Sequence, residues 1–335
     1  MFLVRLWTLY AFVLVALCAC DSNDEASGSK GNEQTESPGD GGDEPRDGGD
    51  EPDAGPDDEP EVEPGIHVGE QQVIFQTDTF TLEPGQERYL CYAATTEDEL
   101  VIDGYRSAGA PYLHHVIFSR ATAPEPEGFS ECDTLFRYTW QPLFLTGAGA
   151  SELDFPENNG HKIPAGTQLV VQLHLLNATE DPVTESVAIT MKRSSSADPK
   201  PIGTYAFGSS DVNLPPSQTS VLEAVCTMDE TVQLVAVFPH MHLLGTKMTF
   251  EVGKSEDAME MVFERDPYSF DDQHVELLDL TLEPGDVTRV RCSYDNPHDE
   301  VITFGESTMN EMCFLIGFSV DRDGLMTCTS SGGDD

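Results

Sequence analysis

Basic side chains are scarce in this sequence. Across 335 residues, 17 Lys and Arg stand against 61 Asp and Glu, which gives a formal net charge of −44 at pH 7. Residues 66–335 alone carry a net charge of −30. The phosphate backbone of a nucleic acid would repel such a chain, so we expect no nucleic-acid partner.

Two zinc-binding motifs are also missing. The sequence contains no Cys-x-x-Cys pair and no His-Glu-x-x-His segment, which leaves little support for a zinc finger or a zinc hydrolase. Six cysteines follow residue 20, namely Cys91, Cys132, Cys226, Cys292, Cys313 and Cys328. Their number is even, and the N-terminal segment predicts export, so we expect structural disulfides.

The N-terminal segment has the features of an export signal. Residues 1–19 are apolar apart from Arg5 and a few small or polar side chains, a pattern typical of a signal peptide. The run ends in Leu-Cys-Ala-Cys, which resembles a bacterial lipobox with Cys20 as the lipidated residue. We predict an exported lipoprotein, anchored by its lipid to a bilayer on the periplasmic or cell-surface side. The alternative is an ordinary secretory signal with two incidental cysteines.

An acidic block follows at residues 20–65. It is built largely from Asp, Glu, Gly and Pro, and it has 17 acidic residues against Lys30 and Arg46. So few apolar residues cannot offset the entropy of ordering, and like charges extend the chain. We predict a disordered tether, then a folded part over 66–328, then a flexible tail at 329–335.

Helical periodicity is missing from the folded part over any stretch of three turns. Short runs of β-branched and aromatic residues, bounded mostly by Gly, Pro, Asn or Asp, predict strands instead; they are 170–176, 186–191, 233–238, 247–252, 287–294 and 314–320. Many short strands separated by turns favour antiparallel sandwiches. A polar, proline-containing stretch at 192–203 divides them. We predict an all-β fold with one sandwich in residues 66–198 and a second in 199–328.

Three histidines in the first of these regions are candidate ligands. In the run Gln168–Leu176, the odd positions form an apolar face, and His174 lies on the opposite face, so it points to the surface or into a cleft. His114 and His115 are adjacent, and on a regular strand they would face opposite ways. They can bind one metal only where the strand bulges or ends.

A His-x-His pair in the second region gives a stronger signal. His240 and His242 follow a strand-like run and leave an extended chain from the same side, and neutral imidazole suits Zn, Cu, Fe or Ni. Met312 lies where another strand begins. Methionine usually fills core gaps, but a thioether is a soft ligand that selects copper(I). These residues together indicate copper. The remaining histidines, in polar and loop-like surroundings, receive no role; they are His67, His161, His274 and His298.

The order and spacing of these motifs resemble the copper type II ascorbate-dependent monooxygenases, which include peptidylglycine α-hydroxylating monooxygenase and dopamine β-monooxygenase. The resemblance covers roughly residues 85–328. It rests on HH at 114–115, QLH at 172–174, HMH followed by LLG at 240–245, and EMC at 311–313. The six cysteines also match positions of the family's disulfides.

The resemblance implies two jelly-roll-like sandwiches that face each other across a solvent-filled cleft, with one copper in each. His114, His115 and His174 would hold an electron-transfer copper. His240, His242 and Met312 would hold the catalytic copper, where O2 is reduced and a C–H bond of a small substrate is hydroxylated. Ascorbate or another one-electron donor would reduce both coppers. The implied disulfides are Cys91–Cys132, Cys226–Cys328 and Cys292–Cys313. Gln172 matches a family position near the first copper.

The sequence departs from the family where the peptide-amidating branch binds its substrate. An arginine that grips the substrate carboxylate in that branch is Phe238 here, and an asparagine and a tyrosine after the EMC motif are Phe314 and Ile316. Tyr89 matches a tyrosine-like family position but cannot restore carboxylate binding alone. We therefore expect a more apolar substrate, although the acidic surface would favour a cationic amine.

Two other functions use the same residues differently. A copper-binding lipoprotein could store, deliver or sense copper at these sites without turnover. A metal-free adhesion or solute-binding sandwich would require every histidine motif to be accidental. Oxygen consumption driven by ascorbate and coupled to product separates the first of these from a monooxygenase.

Overall fold

The computed structural model describes residues 62–132, 137 and 139–329. The predicted signal peptide, the lipidation site Cys20, nearly all of the predicted tether and residues 330–335 lie outside the described residues, and their predictions stay predictions. Within the described ranges no helix is long and apolar enough to span a bilayer.

The described chain is built from strands, so the all-β prediction is confirmed. We call residues 62–198 the first half and 199–329 the second half. The strands of the first half are β1 Gly65–Val68, β2 Gln72–Gln76, β3 Phe80–Leu82, β4 Glu87–Thr95, β5 Leu100–Ser107, β6 Leu113–Ala121, β7 Gly128–Glu131, β8 Trp140–Gly147, β9 Ser151–Asp154, β10 Asn159–Ile163, β11 Gln168–Leu176, β12 Val183–Glu185 and β13 Ala188–Arg193.

The second half contributes eleven more strands. They are β14 Lys200–Ser209, β15 Asn213–Leu214, β16 Gln218–Thr227, β17 Val232–His240, β18 Gly245–Gly253, β19 Met259–Arg265, β20 Glu276–Leu282, β21 Val287–Asn296, β22 Ile302–Thr303, β23 Cys313–Val320 and β24 Gly324–Thr329. Five of the six runs that the sequence predicts as strands lie wholly inside one of these elements, and the sixth, 186–191, overlaps β13 from residue 188.

Each half layers two sheets. In the first half, the five-stranded sheet β7-β4-β11-β6-β8 packs on β2 and β5; Phe75 of β2, for example, lies 5.1 Å from Phe118 of β6 between ring centroids. In the second half, the four-stranded sheet β16-β21-β18-β19 packs on β14, where Phe207 lies 5.0 Å from Phe250 of β18. Such face-to-face burial of aromatic rings is what drives sandwich formation.

One sheet runs through both halves. Its order is β1-β2-β13-β5-β10-β14-β23-β17-β20, and the connection is a short parallel pairing between β10 and β14 at Asn159–Lys200 and Gly160–Pro201. The main apolar core accordingly contains Phe238, Ile316 and Phe318 of the second half beside residues of the first. The division into separate domains at residue 198 stays a prediction.

His161 strengthens this junction. It lies in β10 and is buried, which corrects the expectation of a polar loop. The hydroxyl of Tyr105 in β5 donates to its Nδ1 at 2.7 Å, and its Nε2–H donates to the carbonyl of Ile202 in β14 at 3.1 Å. One imidazole thereby satisfies two buried polar groups, one from each half.

Three disulfides complete the fold, and all three pairings that the resemblance implies are confirmed. They are Cys91–Cys132, Cys226–Cys328 and Cys292–Cys313, with Cα–Cα distances of 5.6, 5.7 and 5.9 Å. Cys292–Cys313 joins β21 to the start of β23, so it fixes the residue that directly follows Met312.

His161→Leu should destabilise the protein by about 2–4 kcal/mol, because the Tyr105 hydroxyl loses its acceptor and the Ile202 carbonyl loses a donor inside the core. Urea unfolding followed by circular dichroism measures the change. His298→Leu, at a half-buried loop position, is the control and should change stability by less than about 0.5 kcal/mol. Equal effects of the two substitutions would show that the junction does not depend on His161.

Candidate metal centre

A bulge in β6 brings the first three histidines together. His115 pairs with His174 of β11, but the next pair is Leu113 with Leu175, so His114 is the extra residue. A bulge re-aims side chains, and the ring centroids of His114 and His115 lie 5.5 and 4.8 Å from that of His174. The structure thus places these residues, here called the first set, in one cluster.

The two ring nitrogens of His174 have different surroundings. Its Nε2 lies 2.7 Å from Oε1 of Glu87, and Tyr89 stacks on its ring at 4.2 Å between centroids. The hydrogen bond from His174 is the main cause that lowers the pKa of Glu87 to about 2. A carboxylate that stays ionised keeps the proton of His174 on Nε2.

The other nitrogen of His174 is therefore left with a lone pair. His174 Nδ1 lies 3.3 Å from Nδ1 of His115. Either a proton on His115 Nδ1 or a cation between the two atoms satisfies this contact. A metal held by both Nδ1 atoms fits the geometry.

The second pair of histidines lies at the end of β17. His240 is the last residue of the strand, His242 follows in the turn, and their ring centroids are 5.1 Å apart. Nδ1 of His240 donates to Oε1 of Gln273 at 2.8 Å, and Nδ1 of His242 donates to the carbonyl of Asn310 at 3.1 Å. Both rings therefore carry their lone pair on Nε2.

A buried carboxylate shapes the turn that holds His242. Glu311 is fully buried, and its two oxygens accept the backbone N–H of His242 at 2.9 Å and of Leu244 at 2.6 Å. Burial raises the pKa of Glu311 to about 7 against the effect of these hydrogen bonds. These hydrogen bonds hold the turn at residues 242–244 next to residue 311.

Met312 follows Glu311 and is 1% exposed. Its N–H also donates to Glu311, at 3.2 Å, and its carbonyl accepts from the Tyr294 hydroxyl at 2.7 Å. The backbone of Met312 and that of His242 are thus bonded to the same carboxylate. We call His240, His242 and Met312 the second set.

The two sets adjoin each other. The ring centroids of His115 and His240 are 5.6 Å apart, and the Phe270 ring lies 4.8 Å from His114 and 6.0 Å from His242. All five site histidines are at most 8% exposed. The solvent-filled cleft that the resemblance implies is therefore not observed between the sets.

A glycine explains this close approach. The N–H of Gly147 in β8 donates to the carbonyl of Gln273 at 2.9 Å, and a Cβ at position 147 would lie 2.4 Å from Cβ of Gln273. Only glycine permits such a contact. A second contact involves Thr308, whose hydroxyl donates to Glu87, and a third involves Tyr89, whose hydroxyl donates to the Glu306 carbonyl.

Four of the site histidines are held in the form that binds metals. Burial lowers the pKa of His240 to about 4 and that of His242 to about 3, and it also lowers the pKa of His114 and of His115. At neutral pH these imidazoles are therefore uncharged, as ligation requires.

Unpaired nitrogen atoms show that the residues fit copper. Four buried ring nitrogens have no hydrogen-bond partner, namely His114 Nδ1, His115 Nε2, His240 Nε2 and His242 Nε2. Unsatisfied buried polar atoms are costly. Within the described ranges no three His, Cys, Asp or Glu side chains already stand in ligand geometry. The second set has only two imidazoles, so its third donor would be the Met312 thioether, a combination that suits copper.

Sequence reasoning missed the residues that orient these rings. Glu311 adjoins Met312, and a buried acidic residue beside a candidate ligand is a detectable signal. Gln273, Glu87 and Thr308 lie 33, 87 and 134 residues from their histidine partners. No local pattern relates residues at such distances.

Parts of the chain are similar to known proteins. A family model described as "Copper type II ascorbate-dependent monooxygenase, C-terminal domain" matches residues 201–335. The "Putative DBH-like monooxygenase protein 2" of Homo sapiens is 24% identical over 64% of this chain and 48% of its own length. The "DBH-like monooxygenase protein 2" of Mus musculus is 23% identical over 64% of this chain and 39% of its own length.

The chain spans less than half the length of these two relatives. Among solved structures, "Structure of allantoicase" is 10% identical with a TM-score of 0.20, and the match covers 70% of this chain and 78% of that chain; a likeness this low supports no argument. Residues 201–335 therefore match the C-terminal domain of the copper type II ascorbate-dependent monooxygenases, and the two relatives support the resemblance to that family.

Proposed function

We propose that the protein is a monooxygenase that uses two coppers to hydroxylate a C–H bond of a small organic substrate. The observation that carries the proposal is the meeting of five buried histidines. His240 and His242 each leave Nε2 without a hydrogen-bond partner, and His115 and His174 bring their Nδ1 atoms to 3.3 Å from each other. In the reaction a C–H bond breaks and a C–O bond forms. One oxygen atom of O2 enters the product and the other becomes water, with two electrons from ascorbate or another one-electron donor and two protons from solvent.

Each set has a distinct role in this proposal. The first set, His114, His115 and His174, would hold the electron-transfer copper. The second set, His240, His242 and Met312, would hold the catalytic copper. When bound, the coppers supply the electrons and the activation of O2. Three imidazoles support both copper oxidation states, whereas a thioether favours the reduced one.

The neighbouring residues position the ligands. Glu87 holds the proton of His174 on Nε2, and Gln273 and the Asn310 carbonyl accept the Nδ1 protons of His240 and His242. Each lone pair is thereby aimed before a metal binds, which reduces the reorganisation that binding requires. The apolar residues around the second set exclude water from the reacting groups.

We also propose that the folded part is held at a membrane. The lipobox at Cys20 and the acidic tether up to residue 65 would anchor it on the periplasmic or cell-surface side. Three disulfides in the folded part support an oxidising compartment.

A copper-handling protein without turnover is the second candidate. It is favoured by the burial of both sets, because a closed site suits retention of a metal. Oxygen consumption with ascorbate, coupled to a hydroxylated product, distinguishes the two functions.

Met312→Ile should abolish turnover while the first set keeps its copper, because the substitution removes the sulfur donor from the second set alone. Metal analysis of the purified folded part should give two coppers per chain in the unsubstituted protein. X-ray absorption of the reduced protein should lose its copper–sulfur contribution in the variant.

Met309→Ile is the matched control, since Met309 is three residues away and 56% exposed. It should retain activity and the copper–sulfur signal. Full turnover by the Met312→Ile protein would contradict the assignment of the second set.

Copper affinity of the second set should change less than about threefold between pH 7.5 and 5.5. Burial holds the pKa of His240 near 4 and that of His242 near 3, so protons compete with the metal only below about pH 5. Titration against a copper chelator in the protein with His115→Ala and His174→Ala measures this site alone.

The free peptide of residues 238–245 is the control, because its histidines keep a pKa near 6.5 and its affinity should fall steeply below that pH. The same linkage makes the copper-free protein less stable as the pH falls from about 6.5 towards 4, since the unfolded chain then binds protons that the folded chain does not. A steep loss of affinity between pH 7 and 6 in the protein would contradict the burial of this site.

A further inference from the structure

A cavity lies between the two sets of histidines. His115 and His240 form part of its wall, and the other lining residues are all apolar: Val116, Ile117, Leu145, Phe238, Phe314 and Ile316. Among the described residues, no Asp, Glu, Lys or Arg lines it. The two imidazoles that line it each have an Nε2 atom that is buried and without a hydrogen-bond partner.

The chemistry of this lining selects against charge. A carboxylate or an ammonium group inside the cavity would lose its hydration and meet no counter-charge, which costs several kcal/mol. A hydrocarbon group would instead gain from leaving water, about 0.8 kcal/mol per CH2. The protein's net charge of −44 attracts cations to its surface, but it does not alter this local preference.

The size of the cavity limits what enters it. Its volume of about 20 Å³ holds one methyl- or water-sized group. Apolar side chains continue from its wall to the surface: the half-buried Phe314 lies 6.2 Å from Phe304 between ring centroids, and Phe304 is 39% exposed. A larger molecule would place one methyl-sized end in the cavity and the rest against these two rings.

We propose that this cavity binds the methyl or methylene end of an uncharged substrate, so that the substrate class is a small molecule with a hydrocarbon group at the reacting position. This inference rests on the proposed monooxygenase function. Of the two substrate types that the sequence raises, an apolar molecule and a cationic amine, the lining favours the first.

Three probes of similar size test the inference: toluene, benzylamine and benzoate, which are neutral, cationic and anionic. Their binding to the copper-free protein is measured by saturation-transfer NMR titration. Toluene should bind at least about tenfold more tightly than either charged probe, because only its methyl group enters without loss of hydration.

Two substitutions locate the binding. Ile316→Asn places an amide in the wall of the cavity and should weaken toluene binding at least about fivefold. Phe314→Asn changes the half-buried wall, where the fold tolerates polarity better, and should have the same effect if Ile316→Asn fails to fold. Leu277→Asn, at a position 80% exposed, is the control and should bind toluene as the unsubstituted protein does.

Equal binding of benzylamine or benzoate, or toluene binding that neither substitution weakens, would overturn the inference. Turnover in the copper-loaded protein separates it from the proposed function. Hydroxylation of benzylamine but not of toluene would refute the inference and leave the monooxygenase function intact. Toluene binding at the cavity without ascorbate-driven oxygen consumption would support the inference about binding and refute the monooxygenase function.

Discussion

The backbone contact between Gly147 and Gln273 sets the geometry of the whole site. It joins the end of β8 in the first half to a loop of the second half, and a side chain at position 147 would not fit. The same loop carries the Gln273 amide to His240 and the Phe270 ring to His114. Because one close contact fixes all of these, the two sets of donors meet across the junction of the halves.

Two carboxylates, the exposed Glu87 and the buried Glu311, then orient the donors. Glu87 keeps its charge because His174 and Thr308 donate to it, so it acts as a fixed acceptor. Glu311 is desolvated, and its pKa rises to about 7, yet it still accepts backbone N–H groups on the turn at His242. Glu87 sets the tautomer of the His174 ring, and Glu311 sets the backbone conformation of the turn at His242.

Local pattern was sufficient to predict the strands, and the resemblance implied how the histidines are grouped. Alternating apolar positions are typical of a strand with one buried face. Two adjacent histidines can share a metal only at a bulge or a strand end, and a bulge is observed in β6. The disulfides followed from the resemblance. The sequence could not predict which residues from elsewhere in the chain pack on the polar face of a strand. His174 faces away from the apolar side of β11, as expected, but Tyr89 of the first half and Thr308 of the second half cover it, and it is fully buried.

The same limit explains the other differences. Whether a cleft is open depends on contacts such as Gly147–Gln273 and Tyr89–Glu306, which join residues 126 and 217 positions apart. His161 has polar neighbours in sequence but buried ones in space, since β10 lies between β5 and β14. Long-range packing of this kind leaves no trace in a short window of sequence.

The central claim is that two coppers bind at adjacent sets of donors, one all-nitrogen and one containing sulfur. A crystal structure of the copper-loaded protein, with anomalous diffraction at the copper edge, tests it most directly. We expect two peaks, one at the Nδ1 atoms of His115 and His174, and one at the Nε2 atoms of His240 and His242 beside the Met312 sulfur. A single peak, or copper only on surface carboxylates, would contradict the claim.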